Sequence, residues 1–459
     1  MNQFQRLGEE KIGRLLVQFS LPAMIAMLVG ALYNLIDRIF IGHSIGALGI
    51  AGITIGLPIM LLMWAGGTLV GVGGSSLVSI KLGEKKLEEA ERIVGNSFLL
   101  LIVISILITL AGLFFITPLL QAYGASSEVL PYAKDYMVYI FAGTVLMLVG
   151  FGMNNFIRAE GNPKKAMITM LLGPLLNIAF APLFIFGFGW GMKGVALATV
   201  LAQAVSTFFV LAHFYGSKST LKIRLNHIKP DGAVIGKIIA LGAAPFVMQA
   251  MSSLLNVLIN NNMVKYGGDI AVSGIGVVAS VQALVMMSIM GINQGVQPII
   301  GYNYGAEKFD RVKKALTYAL IAATVIPCLA FLMAQLFPEQ MIAAFSNDKE
   351  LIAFGSHAFR VYLLFLPIIG IQLIGSGYFM AIGKAKQAMF LSLARQVLIF
   401  IPALLILPRF FGVDGVLFSG PLTDLIATAI TGILLLSELR NLNKEKRTNA
   451  AVQMSAVEK

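Results

Sequence analysis

The stretch "SLPAMIAMLVGALYNLIDRIFIG", residues 20–42, carries Asp37 and Arg38 near the end of an apolar run that extends from Leu15 to Ile41. The run exceeds the roughly 20 residues that a membrane-spanning helix needs. A charge inside such a span costs several kcal/mol unless it is paired or hydrated, so the stretch reads both as a span and as a candidate functional site. The composition agrees: 58% of the 459 residues are hydrophobic and 12% charged, too little polar surface to cover a soluble globule of this size. The run is also far longer than the apolar region of a secretory signal and shows no small-residue cleavage site, so the N-terminus is expected to be retained. Cys328 is the single cysteine and leaves no disulfide to form. The net charge of +12 sits in short segments between apolar stretches, so no nucleic-acid partner is expected.

Working outward, apolar stretches fall at 15–41, 46–80, 94–118, 132–157, 167–188, 191–215, 238–264, 270–303, 315–337, 354–382, 388–408 and 413–437. Each is long enough to span, which predicts an all-α polytopic membrane protein with twelve transmembrane helices. With the N-terminus inside, 26 of the 34 basic residues fall in inside segments; Lys134, Lys193, Lys265, Lys349 and Arg409 lie opposite, and Arg38, Arg360 and Arg395 at membrane depth. That asymmetry predicts both termini on the cytoplasmic side of the cytoplasmic (inner) membrane.

The chain also repeats. A shift of 222 residues lays "LGEKKLEEAERI" (82–93) on "YGAEKFDRVKKA" (304–315) and "GNPKKAM" (161–167) on "GKAKQAM" (383–389). A shift of 221 pairs "GMKGV" (191–195) with "GVDGV" (412–416), and one of 223 pairs Pro22 with Pro245. The expected organisation is an N-terminal six-helix bundle (1–215), a cytoplasmic linker (216–236) and a C-terminal six-helix bundle with a cytoplasmic tail (237–459), pseudo-symmetric and parallel because six is even. Such halves enclose sites that are exposed to each side in turn.

Several features that suggest other functions have plainer readings. "GGTLVGVGGSS" (66–76) lacks the order of a phosphate-binding loop and lies inside a predicted span, where small residues serve close helix packing. "GFGWG" (187–191) reads as a tight turn. His43, His213, His227 and His357 are scattered without helical-spacing partners, so no metal site is expected, and no nucleophile–base constellation marks an enzyme. Work done on a substrate would come from an ion gradient.

The polar groups within spans carry the function. Tyr33, Asn34 and Asp37 share one helix face, a set suited to a proton or a small cation. Asp424, after Pro421 and Thr423, reads as the N-terminus of a broken helix and as a second acidic site. Gln249, Ser253, Asn256 and Asn260 form one stripe in the seventh helix. Gln282, Met286, Asn293 and Gln297, with Met287 and Met290 beside them, form another in the eighth. The stripes fit either a wet substrate path or amide glue between helices, and flexible thioethers suit promiscuous apolar binding.

Taken together, "SLPAMIAMLVGALYNLIDRIFIG", "KLGEKKLEEA", "RAEGNPKKAM" and "GPLLNIAFAPLFIFGFGWGMKGVALATVLAQ" (173–203) make nearly the whole chain resemble the multidrug and toxic compound extrusion (MATE) transporters, in the DinF-like branch with the MepA-like exporters. The resemblance implies a V-shaped pair of six-helix bundles that exports amphiphilic, often cationic, small molecules against a proton or sodium gradient. Membrane lipid is then the surrounding partner, no cofactor is needed, and a monomer is expected. It also assigns the coupling residues: Asp37, Asn177 and Thr199, with Tyr136 a weaker match. One position departs: where the branch reads N-x-x-x-D-P, this chain has "NIAFAP" (177–182), with Ala181 in place of the acid. Nor does any acid lie between Pro245 and Val264. A hard cation wants several oxygens and net negative charge, so proton coupling is favoured over sodium. The alternative within the superfamily is a flippase for a lipid-linked sugar, which would need several Arg or Lys residues in its cavity.

Overall fold

The computed structural model describes residues 4–217, 219–344 and 348–457; the side chains of residues 34, 35, 225, 253, 269 and 444–457 fall outside that description. The described residues form helices and turns without a strand. The first five spans are α1 (Ile12–Ser44), α2 (Ala47–Gly83), α3 (Leu87–Phe114), α4 (Leu130–Ala142 and Thr144–Ala159, bent by 56°) and α5 (Pro163–Gly187). They continue as α6 (Gly191–Tyr215), α7 (Gly232–Gly268), α8 (Ile270–Gly305), α9 (Phe309–Leu336) and α10 (Lys349–Tyr362 and Leu366–Ala381, bent by 42°). The last apolar stretch, Ala385–Asn443, has 59 residues. As one rod it would measure about 90 Å, roughly three times the hydrocarbon thickness. It breaks at Gly412, whose φ of 56° and ψ of −130° are non-helical, giving α11 (385–411) and α12 (413–443). The chain therefore folds as twelve transmembrane helices.

Local chemistry sets the boundaries. Asp231 caps α7 by accepting from the backbone N–H of Ala233 (2.9 Å) and Val234 (3.3 Å), and Asp348 caps α10 in the same way. Pro163 opens α5, where its missing N–H is not needed. Gly189 and Gly191, with φ of 67° and 53°, make the turn between α5 and α6 that "GFGWG" predicted. Gly268, at φ 66°, ends α7 and lets α8 fold back.

The halves meet through glycines. A Cβ on Gly73 of α2 would lie 2.2 Å from the Ile238 carbonyl of α7, and one on Gly242 would lie 1.7 Å from the Leu69 carbonyl. Gly83 and Gly305 make the same close crossing of α2 and α8. Gly291 and Gly295 of α8 press on Met24 and Ser20 of α1. The Gly-rich stretch is thus a helix-packing surface. All these approaches lie toward the end of the bundle that holds the N-terminus. There one hydrophobic core runs through both halves, from Leu15 and Val78 to Val296 and Ile299. At the opposite end the N-terminal half keeps a separate core of its own, from Ile41 and Ile53 to Met192 and Ala198.

The linker is shorter than its composition suggests, since α7 begins at Gly232. It is also bound to the N-terminal half. Buried Glu160, just past α4, accepts from Ser219 Oγ (2.9 Å) and the backbone N–H of Thr220 (3.2 Å) and Leu221 (3.3 Å), and it pairs with His213. Glu91 of α3 accepts from the Lys222 N–H (3.2 Å) and Arg224 Nε (3.1 Å), while Asn96 accepts from the Asp231 N–H (2.8 Å). His213 is therefore not an isolated histidine, although no carboxylate is near it in sequence.

Candidate functional site

Four helices of the N-terminal half converge on Asp37. Asn177 of α5 donates from Nδ2 to Thr199 Oγ1 of α6 (2.8 Å) and to Tyr33 Oη of α1 (3.3 Å). Thr199 in turn donates to the Val195 carbonyl of its own helix (3.1 Å), so its one hydroxyl proton is committed. Tyr136 of α4 is buried in the same cluster, close enough to interact with Tyr33, Thr199 and Asp37. Five of the six expected coupling residues are thereby brought together; the side chain of the sixth, Asn34, lies outside the described residues.

The electrostatics of this cluster are unbalanced. Asp37 is 7% exposed, and its Oδ1 has no hydrogen-bond partner among the described residues. Asn177 Oδ1 is likewise a buried acceptor without a donor. Among the described residues no ion pair reaches Asp37, and Arg38 is exposed on another face of α1. Ala181, where the resemblance leads one to expect an acid, is fully buried. Two buried acceptors without donors, one of them a carboxyl group, ask for something positive.

Asp424 has the opposite environment. It lies inside the continuous helix α12 rather than at a helix N-terminus, since the break is at Gly412 and Pro421 is accommodated within the helix. The sequence reading of a broken-helix cap is corrected accordingly. Its Oδ1 accepts from Arg395 Nε (3.2 Å) and Nη2 (3.0 Å) of α11, forming a buried ion pair. Arg395 follows directly on the start of a π-helical segment, Ala394–Phe400, which rotates it from the plain α-helical register.

The two predicted polar stripes separate on inspection. In α7, Gln249 is half-buried, and Asn256 and Asn260 are exposed; the Ser253 side chain lies outside the described residues. Asn256 bonds to the Ser252 carbonyl of its own helix (2.9 Å). In α8, Gln282, Met286 and Met287 are half-buried and Met290 is exposed. Asn293 departs from the cavity reading: its Nδ2 reaches the Leu373 carbonyl (3.5 Å), its Oδ1 accepts from Gln297 (3.4 Å), and it packs on Gly377 of α10. It glues two helices of the C-terminal half.

The burial of one further residue was not foreseen from the sequence. Arg158, counted with the basic residues of an inside segment, is only 6% exposed. It bonds to Gln294 of the other half and to Asn155 Oδ1 (3.0 Å).

The model of the MatE family matches the chain twice, over residues 22–183 and 245–405. The chain belongs to the MatE family. The two matches begin 223 and end 222 residues apart, the same period as the repeat read from the sequence. A MatE relative, the "Multidrug export protein MepA" of Staphylococcus haemolyticus (strain JCSC1435), is 28% identical over 433 residues, 94% of this chain and 95% of the relative. A solved structure described as "MATE multidrug transporter DinF-BH in complex with R6G" is 39% identical at a TM-score of 0.89, over 96% of this chain and 99% of that one. Another, "MATE in the bent conformation", shares the fold at a TM-score of 0.91 and 24% identity. As a MatE protein this chain is a multi-pass membrane transporter and not an enzyme.

Proposed function

We propose that this transporter is a secondary active exporter of amphiphilic, cationic small molecules, driven by proton antiport through Asp37. The observation that carries the coupling reading is a buried carboxyl oxygen on Asp37 with no hydrogen-bond partner among the described residues, in a cluster where the Asn177 amide N–H is already committed to Thr199 and Tyr33. Ionised, Asp37 draws water or a cationic substrate into the N-terminal half; protonated, it is neutral and α1 can pack closely. Those two arrangements are the coupled states. Ala181 supports protons over sodium, because a methyl group there leaves one carboxylate where a hard cation favours more. The export reading is supported by the names of the MepA and DinF-BH relatives.

The flippase reading has less support. Of the three basic residues at membrane depth, Arg395 is engaged by Asp424, while Arg38 and Arg360 are exposed. The test uses inverted vesicles and a fluorescent lipophilic cation. An acid lumen without sodium should drive accumulation, and an equal sodium gradient without a pH difference should not. Accumulation only with sodium would overturn proton coupling, and none under either gradient would overturn the exporter reading.

A further inference from the structure

A second polar site lies between the halves, away from Asp37. Arg158, in the last turn of α4, projects into a small cavity where α2, α4 and α8 meet. Ser76, Asn155 and Arg158 line it from the N-terminal half, and Gln294 and Gln297 from the C-terminal half. Its volume of about 10 Å³ is room for roughly one water-sized particle.

The charge at this site lacks a counterpart. Among the described residues no carboxylate lies within ion-pairing distance of Arg158, and no acidic residue lines the cavity. Its acceptors, Gln294 Oε1, Asn155 Oδ1 and Asn154 Oδ1 (3.4 Å), are neutral amides. Glu160, two residues along, is turned away and is held by His213, Ser219 and the linker backbone. The carbonyls at the end of α4 offer at most about half a charge. Donors, by contrast, are plentiful. The guanidinium has five N–H groups against three acceptors. Among the described residues Ser76 Oγ is buried without a partner, and the Gln294 amide nitrogen meets only Met27 Sδ at 3.9 Å. A buried cation surrounded by spare donors is the chemistry of an anion site.

We propose that Arg158, Ser76 and Gln294 bind a small monatomic anion, chloride or bromide, in a site that is complete only while the two halves meet at this end. A water molecule would satisfy the donors but not the charge, and of the common anions a monatomic one departs least from the water-sized space. Because Gln294 comes from the other half, the anion acts as a bridge and favours the joined arrangement by mass action. At about ten times its dissociation constant it would shift that equilibrium about tenfold.

The full chain in detergent tests this. The thermal midpoint should rise saturably when chloride replaces gluconate at equal ionic strength. The rise should weaken in Ser76→Ala and vanish in Arg158→Gln, which should be as stable in gluconate as the parent, because it no longer buries a charge. Crystals soaked in bromide should show an anomalous peak beside Arg158 in the parent. If Arg158→Gln does not fold, the bromide peak and Ser76→Ala decide the matter. Equal midpoints in both salts with no bromide peak would overturn the proposal, leaving a site that holds water only.

Discussion

Two carboxylates sit inside the membrane-spanning region with contrasting partners, and substitutions should separate them. Asp37→Asn removes a titrating group that has no ion-pair partner, so membrane expression should match the parent while gradient-driven transport falls to background; transport near the parent level at equal expression would show that Asp37 does not couple. Ala181→Asp places a second carboxylate one turn from Asn177 and should make transport depend more on sodium, read as rate against sodium at fixed pH. Asp424→Asn should instead act on stability. Breaking a buried ion pair costs about 3–5 kcal/mol, less here because the Arg395 side chain keeps 20% of its exposure. The double change Asp424→Leu with Arg395→Met should recover most of the thermal midpoint. Asp37 was legible because a charge inside an apolar span is costly, and Asn177 and Thr199 because each lies in a stretch that resembles the family. The Asp424–Arg395 pair was not, because it depends on how the π-helical segment turns α11 against α12. The burial of Arg158 was not legible either: a basic residue at the end of a span, beside "GNPKK", reads as a loop residue until Gln294 of the other half is seen to bond it.

At the scale of elements, the twelve spans were readable because hydropathy follows bilayer thickness directly, and the predicted bounds of α6 match the helix Gly191–Tyr215. The bends within α4 and α10 were not, since a single Gly143 or a Leu363–Phe365 turn does not interrupt an apolar run. The glycines of α2 and α7 carry the most testable packing. A side chain at Gly73 or Gly242 would collide with backbone of the opposite helix rather than with a side chain that could move. Gly73→Val and Gly242→Val should therefore force the halves apart at the joined end, at a cost of about 1–3 kcal/mol. A cysteine introduced at buried Ser79, with Cys328→Ser as background, reports this. Its labelling rate should rise about 5- to 150-fold, the factor corresponding to that free energy. Unchanged labelling would mean that the crossing yields elsewhere.

For the whole molecule, the orientation of the chain rests on its basic loops. Reactive tags at Lys86, Lys165, Lys222 and Lys386 should all be reached from the cytoplasm alone, and labelling of any one from outside would break the two-halves topology. The division at 215 and 237 treats the intervening polar segment as a neutral joint, yet Glu160, Glu91 and Asn96 hold residues 219–231 against the N-terminal half. This bears on how the gene could be cut in two. Fragments ending at residue 231 and beginning at 232 would keep every partner of Glu160 within one polypeptide, and co-expression should yield a transporter that assembles. A cut after residue 215 would hand the N-terminal fragment a buried acid stripped of its backbone donors. The structural joint is the start of α7, reached after the sixteen residues that follow the end of α6.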